Sequence, residues 1–126
     1  MLSLSANTCN IDNRTKEIMV TATPSGNYTN GTGDTVNLTN VANPNQIPGA
    51  NFGFPGNIME YEVVQSPLGY IGTLVKGATL ATWALKVEQT GAALSGPLAE
   101  LASAAYPAGV LAGTFTLRFR GPKLQF

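Results

Sequence analysis

Phe115-Thr116-Leu117-Arg118-Phe119-Arg120 alternates apolar and polar side chains residue by residue. That is the period of a β-strand with one face in a core and the other in water. The rhythm recurs upstream, where Ala81, Trp83, Leu85 and Val87 alternate with Thr82, Lys86 and Glu88, and where Met59, Tyr61 and Val63 alternate with Glu60 and Glu62. Gly69 to Val75, behind the corner Ser66-Pro67, reads as a further strand. Lys16 to Thr23 sets Ile18, Val20 and Ala22 against Met19, Thr21 and Thr23 and stops at Pro24-Ser25-Gly26, and Asp34 to Asn40 sets Val36 and Leu38 against Thr35, Asn37 and Thr39. Between these two lies NYTNGTG (27–33), whose Asn30-Gly31 suits the positive φ of a tight hairpin turn; Lys76-Gly77 reads as another hairpin turn. Ser95-Gly96-Pro97-Leu98-Ala99-Glu100 supplies a cap residue, an early proline and a first-turn glutamate, which predicts a short helix over Pro97 to Ala105 ended by Tyr106-Pro107-Ala108-Gly109. Short strands, Gly/Pro turns and one helical excursion predict an all-β antiparallel sandwich or jelly roll.

Composition divides the 126 residues unevenly. All eleven asparagines precede position 58, whereas eleven of fifteen alanines and ten of thirteen leucines follow it. One domain is expected, in which 1–57 is polar, loop-rich or arm-like and drapes, while 58–126 is the more regular core. Val41 to Asn57 carries Pro44, Pro48 and Pro55 with Gly49, Gly53 and Gly56, a density of breakers that neither a helix nor a long strand tolerates. It reads as a long connection or an extended arm, and its Phe52 and Phe54 predict ordered docking, either on this protein or on another.

Seven basic residues balance seven acidic ones and 11% of the chain is charged, against roughly 25% in an ordinary soluble domain. No basic excess is available for phosphate contacts, so nucleic acid is not an expected partner. No apolar run approaches the roughly 20 residues of a membrane-spanning helix, and MLSLSANTCN shows neither the basic nor the apolar region of an export signal. Histidine is absent, which removes the Ser-His-Asp and Cys-His machineries and imidazole metal ligands. Cys9 is the sole cysteine and is expected as a small packed side chain.

Glu60 and Glu62 on one strand face would stand about 6–7 Å apart, a spacing that overlaps glycosidase carboxylates; a solvated face paired with Lys86 or Arg118 accounts for them equally. Neither Gly31-Thr32-Gly33 nor Lys76-Gly77 makes a phosphate loop. Asp12 and Asp34 lack the regular ligand spacing of a calcium loop. The tripeptides beginning at Asn13, Asn27, Asn30 and Asn37 match a glycosylation pattern, which so many Asn and Thr produce by chance. Tyr28, Tyr61, Tyr70 and Tyr106 with Trp83 could build a sugar-stacking platform, although Trp83 on the apolar face of its strand points to a core role. No enzyme, cofactor or metal is expected.

The stretch YEVVQSPLGYIGTLVKGATLATWALKVEQT (61–90), together with AYPAGVLAGTFTLRFRG (105–121), resembles the small jelly-roll head-decoration (cement) proteins of tailed bacteriophages. The resemblance implies a non-enzymatic virion protein, made in the host cytoplasm and added to the outer surface of an icosahedral head. There it would bridge copies of the major capsid protein and cluster with itself as a trimer or, failing that, a dimer. Phe52, Phe54, Arg118 and Arg120 are the candidate partner-binding residues. A carbohydrate-binding or adhesin-like β-sandwich using exposed aromatics is the alternative, and a Glu60/Glu62 glycosidase a remoter one.

Overall fold

The computed structural model describes residues 1–11, 15–39, 58, 60–90 and 98–122, with the backbone alone for 7–11, 16, 90 and 122. The strands are β1 (Leu2–Ile11), β2 (Thr15–Pro24), β3 (Asp34–Val36), β4 (Glu60–Gln65), β5 (Tyr70–Val75), β6 (Trp83–Thr90), β7 (Leu98–Glu100) and β8 (Phe115–Pro122), with one helix, α1 (Ala108–Leu111), before the last. One sheet runs β1-β2-β8-β4 and the other β3-β6-β5, with β7 also on β6; every ladder is antiparallel. The protein is an all-β sandwich.

Alternation fixes which faces meet. Ile18, Val20 and Ala22 of β2, Phe115, Leu117 and Phe119 of β8, and Leu85 and Val87 of β6 are fully buried in one core. Trp83 joins them, edge-on to Phe119 of the opposite sheet at 5.6 Å between centroids and to Tyr61 at 4.8 Å. Its core role is as expected.

Three expectations change. The division into a draping first part and a packing second part does not hold over the described residues, because Leu4, Ala6, Ile18, Val20, Ala22, Tyr28, Val36 and Leu38 all lie in the core. The helix expected over Pro97 to Ala105 is absent over 98–105: Leu98–Glu100 is a strand, since the edge of β6 at Glu88–Thr90 offers unpaired backbone that it completes. Leu101 continues the contact, its N–H donating to the Val87 carbonyl at 2.9 Å. Tertiary pairing outweighs the helix propensity of Leu and Ala here. The helix forms instead after Pro107, which sits at its N-cap. Residues 25–33 are also no hairpin, because β2 and β3 belong to different sheets and the segment crosses between them. The connection over Lys76-Gly77, by contrast, joins the paired strands β5 and β6.

Both β3 and β7 pair with the side of β6 that β5 leaves free, β3 at Trp83–Leu85 and β7 at Glu88–Thr90. They form one edge strand split in two, and residues 25–33 are drawn into the gap. Past Val36 the ladder stops, but burial keeps its alternation to Leu38, whose N–H donates to the Leu80 carbonyl at 2.8 Å. No helix among the described residues is long and apolar enough to cross a membrane.

Candidate binding surfaces

The two open sides of the sandwich differ in character. On one, the edge strands β4 and β5 are joined by a four-residue corner at 66–69. Tyr70 donates its N–H to the Pro67 carbonyl at 3.0 Å, and Gly69 has φ 88°, the positive value that the third position of a type II turn requires. Leu68 at the second position is thereby thrust outward and is 99% exposed. A β-bulge at Val64 in β4 turns that side chain out as well, and Ile71 and Val75 project from β5. Leu111 of α1 is also exposed, and the turn after it packs Gly113 against Pro67. This side is an apolar corner without a partner among the described residues.

The outer face of the first sheet carries the charges. Arg118 lies opposite Glu62, and Arg120 lies between Glu17 and Glu60 across the strands. Arg118 reaches Glu62 through Nη2 at 2.7 Å and Glu17 through Nη1 at 3.8 Å, and Arg120 reaches Glu60 at 3.5 Å. The carboxylates of Glu60 and Glu62 are thus each held by an arginine on a solvated strand face, the charge ladder that their alternation suggested. Exposed pairs of this kind contribute about 0–1 kcal/mol each. Arg118 and Arg120 are consequently engaged within the sheet, and a partner carboxylate would compete with their glutamates. Phe52 and Phe54, together with the rest of Val41 to Asn57 and Asp12, lie outside the described residues.

A buried polar network closes the gap in the split edge strand. Tyr28 accepts the Val87 N–H at 3.1 Å, a donor that a continuous edge strand would have paired, and donates to Glu100 Oε1 at 2.6 Å. Glu100 also accepts from the Gly31 N–H at 2.8 Å. Asp34, 5% exposed, accepts from the Tyr106 hydroxyl, from the Met1 ammonium at 2.7 Å and from the Thr29 N–H at 3.2 Å. The two tyrosine rings meet edge to face at 5.7 Å. Burial, reinforced by hydrogen bonds to carboxylates, pushes both phenols well above their ordinary pKa, so they remain neutral donors. Asp34, considered for calcium from sequence, is occupied by these donors. Tyr28 and Tyr106 are likewise spent here, and Tyr61 packs on Trp83, so the tyrosines do not assemble a stacking platform.

The Tyr28 hydroxyl above all lowers the pKa of Glu100, against an opposing desolvation and with help from the Gly31 N–H and the nearby Lys86 charge. A carboxylate whose folded pKa is depressed adds stability above its unfolded value of about 4.3, and that increment is lost as pH falls through the folded value. Thermal melts of wild type and Glu100→Gln should therefore converge as pH drops below about 4, with wild type the more stable at pH 7. An identical gap between them at pH 7 and pH 2.5 would show that Glu100 is not coupled to folding through its charge.

On the opposite side, the edges of β1 and β3 flank a groove of about 900 Å³ lined in part by Leu2, Ser3, Leu4, Gly33, Thr35 and Asn37. The titratable groups among its lining are Asp34 and the Met1 ammonium, which pair with each other. No protein family, no curated protein and no solved structure matches the chain. The apolar corner and the groove were missed in sequence, although Pro67-Leu68-Gly69 carries a type II turn signal that places Leu68 outward.

Proposed function

We propose that this protein is a structural component of a virus particle, a decoration or cement protein that seats on the outer surface of an icosahedral head and bridges copies of the major capsid protein. The observation that carries the reading is the apolar corner, where Val64, Leu68, Ile71 and Leu111 are 47–99% exposed on a chain with 11% charged residues. Apolar surface of this kind marks a protein–protein contact, and the weak charge leaves little electrostatic barrier to docking. The resemblance of 61–90 and 105–121 to head-decoration proteins supplies the partner. Phe52 and Phe54 are proposed to extend the contact, and Arg118 and Arg120 to lie at its rim. Repetition over a closed shell multiplies a modest single contact.

Particles assembled without the protein should lose infectivity or genome content at lower temperature than complete ones, and adding purified protein should restore the difference. Leu68→Asp should leave the fold intact, since Leu68 touches no core, and weaken attachment to the head by roughly tenfold or more. Full occupancy by the Leu68→Asp variant would remove the corner from the contact, and particles equally stable without the protein would end the cement reading. Sugar-specific retention on a glycan array without attachment to heads would favour the carbohydrate-binding alternative instead.

A further inference from the structure

We infer that β1 is a self-pairing edge through which two copies of this chain join about a two-fold axis, extending β1-β2-β8-β4 into a continuous sheet across the dimer. The inference does not depend on the capsid reading. Of the two self-associations that the resemblance implies, it selects the dimer.

The hydrogen-bond phase of β1 follows from its first pair. Met1 and Ser25 exchange both backbone bonds, Ser25 N–H to the Met1 carbonyl at 2.8 Å and the Met1 amino group to the Ser25 carbonyl at 2.9 Å. In an antiparallel ladder such pairs alternate with pairs that do not bond. Leu2 faces Pro24, which has no N–H to give, Ser3 faces Thr23, Leu4 faces Ala22 and Ser5 faces Thr21. The N–H and C=O groups of Leu2, Leu4 and Ala6 therefore point away from β2, and among the described residues no strand pairs with that side. The regular run ends at the bulge between Ala6 and Thr8.

Unpaired edges are ordinarily guarded by charge, proline, bulges or short length. The other free edges among the described residues are guarded. β4 carries Glu60 and Glu62, which self-pairing would bring together, and is bulged at Val64. On β5 the Gly72 N–H is taken by the Ser66 hydroxyl at 3.2 Å and Lys76 follows the strand. β3 and β7 are three residues each, with Asp34 and Glu100 among them. β1 is bulged as well, but only past Ala6, and LSLSANTCNI holds neither a charge nor a proline in ten residues.

A two-fold axis at Leu4 uses every outward group of the regular run. Leu4 faces Leu4 of the copy and Leu2 faces Ala6, each pair exchanging two N–H···O bonds, while Ser3 faces Ser5 on the outer side. The inner faces of the two β1 strands, with Leu4 and Ala6 buried in each copy's own core, then run on across the axis as one surface. Serine opposite serine adds no clash and no repulsion, so the strand is complementary to itself.

Sedimentation of tag-free protein across a concentration series should give a species of twice the 13.1 kDa chain mass. Ser3→Lys combined with Ser5→Lys places like charges directly opposite across the axis, and should weaken the dimer by roughly tenfold without lowering the melting temperature of the dissociated chain. Ser3→Lys combined with Ser5→Glu sets opposite charges in the same places and should restore it, with a salt dependence that wild type lacks. A wild-type monomer or trimer, a dimer indifferent to the paired lysines, or a failure of the opposite-charge variant to reassemble would each overturn the inference.

Discussion

Trp83→Ala should destabilise the folded chain by about 3–5 kcal/mol, the range for removing a large aromatic from a packed core. Trp83 is 2% exposed and touches aromatic rings on two strands of the facing sheet, Tyr61 of β4 and Phe119 of β8. Edge-to-face pairs add about 0.5–1.5 kcal/mol beyond buried area, so the void costs stability on both layers at once. It also starts β6, on which β3, β5 and β7 all depend. Against a total of about 5–15 kcal/mol for a domain, the variant should melt many degrees lower or fail to accumulate. Trp83→Phe, which keeps a ring between the sheets, should recover more than half of the loss. Urea melts showing a loss under 1 kcal/mol for the alanine variant would mean that Trp83 does not bridge the layers.

Gly33→Ala should be the costliest glycine substitution in the 25–33 crossing, at about 3 kcal/mol or more. Gly33 has φ 75°, which an L-residue adopts at about 1–2 kcal/mol, and an added Cβ would lie 2.6 Å from the Leu85 carbonyl oxygen. That oxygen belongs to β6, and relieving the contact by moving the crossing would loosen Asp34 next along the chain, so overpacking adds about 1–3 kcal/mol. Gly31→Ala is the control. Its φ of 92° carries backbone strain, but nothing lies within 4 Å of the added carbon, and its loss should be the smaller by at least about 1 kcal/mol. Equal losses in denaturant melts would remove the close approach to β6 as the cause.

Where burial has a short period, the sequence showed it. Ile18, Val20 and Ala22, then Phe115, Leu117 and Phe119, and Trp83, Leu85 and Val87 were legible as inner faces because a strand exposes its period to direct reading. Leu2, Leu4 and Ala6 carry the same period, but the polar letters of SANTCN beside them hid β1. Leu98 to Glu100 read as helix because local propensity contains no information about the vacant edge of β6. The Tyr28–Glu100 bond joins residues 72 apart in the chain, and the exposure of Leu68 depends on a bulge and a turn at once. Contacts of that reach leave no local pattern, which is why the core was readable and the apolar corner was not.

The position of β8 sets an order of events. It lies between β2 and β4 in the first sheet, yet it follows every other described strand in the chain. During synthesis the β1–β2 hairpin can form early, but it can find no path to β4 until residues 115–122 have left the ribosome. Until then the Ile18, Val20 and Ala22 face has no neighbour beyond β2 and stays open to aggregation. Closure by the last strand is therefore the slow, non-local step. A nascent chain stalled before Phe115 should bind chaperones, and one extended past Pro122 should not.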